Sequence, residues 1–174
     1  MAKRAVLVLA ALTGLLAATA MAQTSGDLAY TPDGKMVFPK DYRDWIYLST
    51  GFDMSYVEGA ADAVHKFDTV FVNRAAYEGF RSKGAWPDKT VMVLEVRGAS
   101  TNDFNKRGQF QSGAPFGVEA HVKDVSRGGW SFYAFGKTQA PGALLDKSQA
   151  CYSCHEQHGQ TDTTFTQFYP MLAK

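Results

Sequence analysis

Short runs of apolar and β-branched residues are the clearest local pattern in this chain, and they predict β-strands. In the segment 90–96, Met92, Leu94 and Val96 would share one face of a strand, and the intervening residues would share the other. The segment 46–52 fits either a strand or the end of a helix. Aromatic and β-branched residues predict three further strands, at 68–73, 116–124 and 130–135.

Helical periodicity is confined to short segments. Residues 75–84 carry apolar side chains at helical spacing and end at Gly84, which predicts a helix. Asp41 could cap a short helix that buries Trp45. The tail 163–172 could place its aromatic residues on one helical face, at Phe165, Phe168 and Tyr169.

The remaining segments are rich in turn-forming residues. Residues 98–115 predict a long loop or a ragged hairpin, and residues 137–149 predict a connector with room for a helix. The sequence Arg127-Gly128-Gly129 fits a tight hairpin between two strands. No internal repeat is visible. The order of elements therefore predicts an α+β fold, mainly an antiparallel β-sheet with a few helices.

Composition and charge place the chain among ordinary globular proteins. Hydrophobic residues make up 45% and charged residues 20% of its 174 residues, and the formal charge is +1. This balance argues against a protein that binds nucleic acid through a basic face.

The first 22 residues have the pattern of a secretory signal. Lys3 and Arg4 form a basic start, an apolar run covers 5–18, and Ala20-Met21-Ala22 fits the cleavage pattern. An uncleaved N-terminal anchor is the alternative, although the run is short for a membrane span of about 20 apolar residues. We therefore expect residues 1–22 to be removed, leaving a single domain over 23–174 in the periplasm.

The segment Cys151-Tyr152-Ser153-Cys154-His155 matches the C-x-x-C-H pattern of covalent haem attachment and contains both cysteines of the chain. Two cysteines one helical turn apart lie on one face, where each can add to a haem vinyl group. The adjacent histidine can then bind the iron as the proximal ligand. The pattern predicts one haem c in a C-terminal attachment segment, held by Cys151 and Cys154 with His155 on the iron.

Other interpretations of the histidines and cysteines fit less well. A thioredoxin-like pair usually lies early in a βαβ unit, a zinc site needs two further ligands, and a disulfide across this spacing would be strained. We interpret His158 as a surface histidine. His65 and His121 are interpreted as surface or core histidines rather than ligands.

The second axial ligand decides what such a haem does. A methionine or histidine there gives a six-coordinate electron carrier, whereas an open position permits gas binding or catalysis. Met92, on the same predicted strand face as Leu94, is the first candidate for a sixth ligand, and ordinary packing is the alternative. The methionines that follow the signal are Met36, Met54, Met92 and Met171.

Several longer motifs follow one another along the chain. They are Pro39-Lys40-x-Tyr42-Arg43-x-Trp45, Thr69-Val70-x-Val72, Gly117-x-Glu119-Ala120-x-Val122-Lys123-Asp124, Trp130-x-Phe132-Tyr133-x-Phe135, the C-x-x-C-H and Thr161-Asp162-x-x-Phe165-Thr166-x-Phe168-Tyr169-Pro170. Together they resemble the cytochrome P-460 family and the related cytochromes c′-beta, most specifically toward the C-terminus.

The resemblance implies a mainly antiparallel β fold, a homodimer and one covalent haem with His155 as proximal ligand. Members of the family act on small nitrogen compounds. Cytochromes P-460 oxidise hydroxylamine, and cytochromes c′-beta bind nitric oxide and carbon monoxide at a five-coordinate iron.

The departures from the family pattern matter as much as the match. Leu94 occupies the position of the lysine that cytochromes P-460 cross-link to their haem, and leucine has no nitrogen to form that link. Asp68 occupies the position of a distal arginine. Glu119 matches a distal carboxylate that accepts protons, although a salt-bridged strand residue is the alternative.

Together with the resemblance, these residues imply a haem cytochrome that binds nitric oxide or a similar small nitrogen-oxide or gas ligand beneath an apolar lid at Leu94. It would also pass single electrons to or from a redox partner cytochrome. The alternatives are a hydroxylamine or nitric oxide oxidoreductase that uses Glu119, and a six-coordinate electron carrier that uses Met92. The phenylalanines expected in the core, one or two of them against the haem, are Phe71, Phe116, Phe132 and Phe135.

Overall fold

The fold is described by a computed structural model that covers residues 28–54 and 64–173. The predicted secretory signal at 1–22 lies outside the described residues. Within the part described, no helix has the length and apolar character needed to cross a membrane.

Six strands form one antiparallel sheet, and each strand pairs with the next one along the chain. Two α-helices accompany the sheet within the described residues, α1 at Arg74–Lys83 and α2 at Ala150–His158. This confirms the α+β class with a mainly antiparallel sheet. The strands are β1 Ile46–Phe52, β2 Lys66–Val72, β3 Thr90–Ser100, β4 Phe110–Asp124, β5 Gly129–Gly136 and β6 Ala143–Leu144.

Glycines with positive φ end helix α1 and lead into strand β5. Helix α1 ends at Gly84, which has φ 70° and donates its backbone N–H to the Phe80 carbonyl. The connection from β4 to β5 uses Gly128 and Gly129, with φ 93° and 95°. A side chain at either glycine would be strained, so the predicted hairpin is confirmed together with the reason for its sequence.

The less regular segments take more definite forms than the sequence indicates. Residues 98–115 form a hairpin in which Gly98 pairs with Ser112, and the register shifts between Val96 and Gly98. The segment 137–149 contains the short strand β6 and no helix. The tail forms two 3-10 helices, Thr166–Phe168 and Pro170–Leu172, in place of one continuous helix.

Three side-chain predictions differ from the structure. The short helix before Trp45 is a 3-10 helix over Tyr42–Asp44, and Asp41 makes no side-chain cap. Phe116 is 43% exposed and not a core residue, because it follows an irregular stretch of β4 and lies over Gly98. The tail does not place its aromatic residues on one helical face, because it forms two short 3-10 helices, and Phe168 is exposed whereas Phe165 and Tyr169 are buried.

The two faces of the sheet bury different hydrophobic clusters. One face, which we call the closed face, packs against the N-terminal segment and the 3-10 helix. Its core residues are Met36, Phe38, Tyr42, Trp45, Val91, Val93, Val118, Ala120, Val122, Tyr133 and Phe135. The other, the cavity face, packs against α1 and the C-terminal segment through Leu48, Val72, Ala76, Trp86, Met92, Phe165 and Tyr169.

Candidate functional site

A cavity of about 310 Å³ lies between the cavity face and the C-terminal segment. Its sheet wall follows from antiparallel register, because residues paired across strands point to the same face. One row runs across four strands as Ser49, Val70, Leu94 and Glu119. The next row contributes Met92, His121 and Phe132.

The opposite wall comes from α2 and the chain that follows it. Cys151 and His155 project from α2, and Phe165, Phe168 and Tyr169 come from the C-terminal segment. The cavity therefore brings together five of the predicted site residues, namely Met92, Leu94, Glu119, Cys151 and His155. Cys154 does not line the cavity itself but packs against the hydrophobic cluster beside it.

Both cysteines lie on α2, three residues apart, as the C-x-x-C-H spacing predicts. Each is half-buried and carries a free thiol. Burial raises the pKa of the Cys151 thiol, so this thiol is protonated at neutral pH. Two thiols on one helical face beside a cavity are suited to thioether formation, and neither is used in a disulfide.

His155 is oriented by a backbone carbonyl. Its Nδ1 donates to the Thr163 carbonyl oxygen over 2.7 Å, which fixes the proton on Nδ1 and leaves Nε2 as the nitrogen with a free lone pair. Burial lowers the pKa of His155, although the hydrogen bond to Thr163 opposes that shift. A neutral imidazole with Nε2 free is the form that binds a metal ion.

Leu94 and Met92 supply the apolar part of the sheet wall, and both point into the cavity as the strand alternation predicts. Met92 is only 3% exposed and belongs to the cluster packed around Val72 and Trp86. Its sulfur therefore has a packing role whether or not it also binds a metal. None of the described residues that line the cavity is a lysine or an arginine.

Glu119 is an acidic group of the sheet wall and is paired directly with Leu94 across β3 and β4. Its side chain is accessible rather than packed. The cavity walls nevertheless withdraw it from bulk water, and this effect together with the Asp68 carboxylate raises the pKa of Glu119. Asp68 lines the same cavity from β2, and no salt bridge within the described residues involves Glu119.

The other three histidines lie at exposed or core positions. His158 is exposed on α2, and His65 is exposed and paired with Asp53. His121 is a core histidine, 7% exposed, yet it lines the cavity and lies against His155 with ring centroids 4.9 Å apart. This proximity was not predicted. Thr163 was also missed, because a backbone acceptor has no residue signature.

The residues around the cavity fit a haem. Its walls combine apolar and aromatic side chains with two imidazoles, of which His121 has its Nε2 hydrogen bonded to Thr163 while His155 has Nε2 free, and two thiols lie on the same helix as His155. Within residues 28–54 and 64–173, no group of three or more His, Cys, Asp or Glu is placed to hold a metal ion. A porphyrin brings its own nitrogen ligands to the iron, so one histidine suffices from the protein.

An antiparallel sheet with a C-x-x-C-H helix beside an apolar cavity defines the class as a haem protein. The family model described as cytochrome P-460 matches residues 39–166, a range that contains all six strands, both cysteines and His155. The chain therefore belongs to the cytochrome P-460 family and is a haem-binding cytochrome. No curated protein matches the chain.

Proposed function

We propose that this protein is a periplasmic monohaem c-type cytochrome that binds small neutral ligands, nitric oxide among them, at the haem iron. The observation that supports the proposal is the cavity itself, which is lined both by His155, whose Nε2 is left free by the hydrogen bond at Nδ1, and by the apolar side chain of Leu94. A bound haem would supply an iron centre that takes small ligands and transfers single electrons.

Each residue of the attachment helix has a defined part in this proposal. Cys151 and Cys154 would form thioether bonds to the haem, and His155 Nε2 would bind its iron. Thr163 would hold the His155 ring through Nδ1, as its carbonyl does now. The chain has one C-x-x-C-H, which is the basis for proposing a single haem.

The sheet wall would select the ligand. Leu94, Met92 and Val70 present apolar surface to the cavity, which favours small neutral gases over strongly hydrated ions. Glu119 and Asp68 are the acidic groups of that wall, and two carboxylates disfavour anionic ligands by repulsion. A neutral nitrogen oxide meets both conditions.

Absorption and electron paramagnetic resonance spectra of the purified holoprotein test this proposal. We expect a high-spin ferric c-type spectrum and a ferrous form that takes up one equivalent of nitric oxide. The ferric protein should bind the anion azide poorly. A ferrous Soret band shifted far to the red would indicate a cross-linked haem and would contradict the proposal.

Two alternative functions have observations in their favour. The raised pKa of Glu119 at the cavity wall suits a group that accepts protons, which favours a hydroxylamine or nitric oxide oxidoreductase. Hydroxylamine consumption with an electron acceptor, abolished in Glu119→Gln, would support this enzyme. Met92 lines the cavity, so a six-coordinate carrier would reveal itself by a low-spin ferric spectrum that becomes high-spin in Met92→Leu.

The compartment and partners complete the proposal. Export directed by residues 1–22, followed by cleavage after residue 22, would place the protein in the periplasm, where this type of haem attachment takes place. We also propose a homodimer that exchanges electrons with a partner cytochrome. Cell fractionation with N-terminal sequencing tests the export, and light scattering of the purified protein tests the dimer.

A further inference from the structure

Thr163 is hydrogen bonded to two histidines at once. Its backbone carbonyl accepts the Nδ1 proton of His155 over 2.7 Å, and its Oγ1 is hydrogen bonded to Nε2 of His121 over 3.1 Å. The two histidines come from different parts of the fold, His155 from α2 and His121 from β4. A single residue in the loop after α2 therefore connects the sheet to the candidate iron ligand.

His121 is held rigidly on the sheet. Its ring stacks on Phe132, with centroids 4.1 Å apart and an interplanar angle of 8°, and it lies 4.4 Å from the ring of Trp130. The His155 ring packs against both His121 and Phe132. Its interplanar angle is 76° with His121 and 69° with Phe132. The plane of the His155 ring is thus bounded by two rings that the sheet itself orients.

The loop that carries Thr163 is fixed on both sides of that residue. Lys123 on β4 donates to Asp162 over 3.0 Å, and the buried Trp86 indole donates to Thr164 Oγ1 over 2.8 Å. Three consecutive loop residues are therefore each anchored by a different side chain of the folded core. A carbonyl held in this way has little freedom to turn away from His155.

We propose that His121 is a positioning residue for His155. Through Thr163 it fixes the carbonyl that accepts the Nδ1 proton, and through ring contact it fixes the plane of the imidazole. An acceptor at Nδ1 makes the imidazole a stronger donor to iron, and partners of this kind tune a metal site without touching the metal. His121 and Thr163 thereby set the strength of the iron–histidine bond and the reduction potential.

The sharpest test replaces Thr163 with valine in the haem-loaded protein. Thr163→Val keeps the backbone carbonyl and the β-branched shape but removes the hydroxyl that bonds His121. We expect the ferrous iron–histidine stretching frequency in resonance Raman to fall and the reduction potential to rise. The ferric–ferrous equilibrium should shift by up to about tenfold, which corresponds to about 59 mV for one electron.

Variants of His121 extend the test. His121→Phe keeps the stacked ring and loses the hydrogen bond, so it should shift both readouts as Thr163→Val does. The two changes together should shift them no further, because they break the same bond. His121→Gln can reach Thr163 with its amide and should recover part of the wild-type potential. Thr50→Val, which removes a hydrogen bond to Thr69 away from the cavity, is the matched control.

Unchanged frequency and potential in both Thr163→Val and His121→Phe would overturn the inference, and so would shifts that add in the double variant. Circular dichroism of each variant separates these results from a folding defect, and His121→Gln provides the readout if His121→Phe does not fold. The inference rests on the proposed binding of iron by His155. Absence of an iron–histidine stretch in the ferrous, five-coordinate wild-type holoprotein would overturn both, whereas a stretch that is present but insensitive to these variants overturns this inference alone.

Discussion

Glu95 and Glu119 lie on neighbouring strands but on opposite faces of the sheet, and their surroundings are opposite in charge. Glu95, on β3, points to the closed face and is only 3% exposed. It accepts hydrogen bonds from Tyr42, from Arg43 Nε over 2.9 Å and from Arg97 Nε over 2.5 Å. Glu119 points to the cavity, where the described lining has another carboxylate and no lysine or arginine.

The pKa directions follow from this difference. Burial alone would raise the pKa of Glu95, but the hydrogen bonds from Arg97, Tyr42 and Arg43 outweigh it and lower the pKa. Around Glu119 desolvation acts first and Asp68 adds to it, so the pKa rises. A carboxylate that accepts hydrogen bonds from cationic side chains, as Glu95 does, stabilises the fold. A carboxylate with a raised pKa at a cavity wall, as Glu119 has, is suited to proton transfer.

The largest expected effect comes from removing both cysteines of the cavity face. Cys151→Ala combined with Cys154→Ala should abolish the haem that survives denaturing electrophoresis, because no other cysteine can form a thioether. Ser153→Ala is the control, since Ser153 lies exposed between the two cysteines on α2. Haem stain that persists in the double variant would contradict covalent attachment at these residues.

Replacing each glutamate by glutamine compares the two faces directly. Glu95→Gln leaves the guanidinium groups of Arg43 and Arg97 without their carboxylate and should lower the free energy of unfolding by about 2–3 kcal/mol. Glu119→Gln removes a group that has no salt bridge among the described residues, so its effect should stay within about 1 kcal/mol. Urea unfolding at pH 7 measures both. Equal losses would show that the two faces do not differ as described.

The same contrast predicts how stability depends on pH. Asp124 is bonded by Lys89, Ser126 and Tyr30, which outweigh its burial and lower its pKa from 3.8 to about 2. A pKa lowered on folding contributes stability that is present above the unfolded value and is lost as pH falls through the folded one. Stability should therefore drop between about pH 4 and pH 2, with Glu95 contributing in the same direction.

Glu119 acts with the opposite sign. Its raised pKa means that the folded protein resists ionisation of this group, so its ionisation costs stability as pH rises above the ordinary value of 4.5. Unfolding curves at several pH values test both signs. In Asp124→Asn the free energy of unfolding should fall less steeply between about pH 4 and pH 2 than in the wild type. In Glu119→Gln it should be slightly higher than in the wild type above pH 5. The exposed Asp103 supplies the control, Asp103→Asn. A steeper acid limb in Asp124→Asn would contradict the assignment.

Strand alternation predicted most of this sheet wall because it depends on backbone geometry alone. Met92 and Leu94 share a face whatever surrounds them, and the C-x-x-C-H spacing likewise puts its cysteines on one side of α2. Where the strand is irregular the same reasoning fails. Phe116 was expected in the core, but β4 shifts register near it and the side chain is exposed.

Contacts between distant segments could not be predicted from one sequence. Thr163 orients His155 through a carbonyl, which every residue carries, so no side-chain pattern marks it. His121 was correctly expected to be a core or surface residue, but its place against His155 depends on how α2 folds back over β4. Such contacts depend on tertiary packing, and spacing along the chain carries no information about them.

The smallest expected effect concerns the shape of the cavity rather than its charge. Leu94→Ala should enlarge the space on the sheet wall and strengthen binding of imidazole, a bulkier neutral ligand, by several-fold, or about 1 kcal/mol.

Val93→Ala is the matched control, because Val93 lies one residue away on β3 and is fully buried on the closed face. It should leave imidazole binding unchanged and lower the free energy of unfolding by about 1–2 kcal/mol. Spectroscopic titration of both holoproteins measures the binding. A change in Val93→Ala equal to that in Leu94→Ala would mean that imidazole responds to general loosening of the sheet, and Leu94 would then have no separate role as a lid.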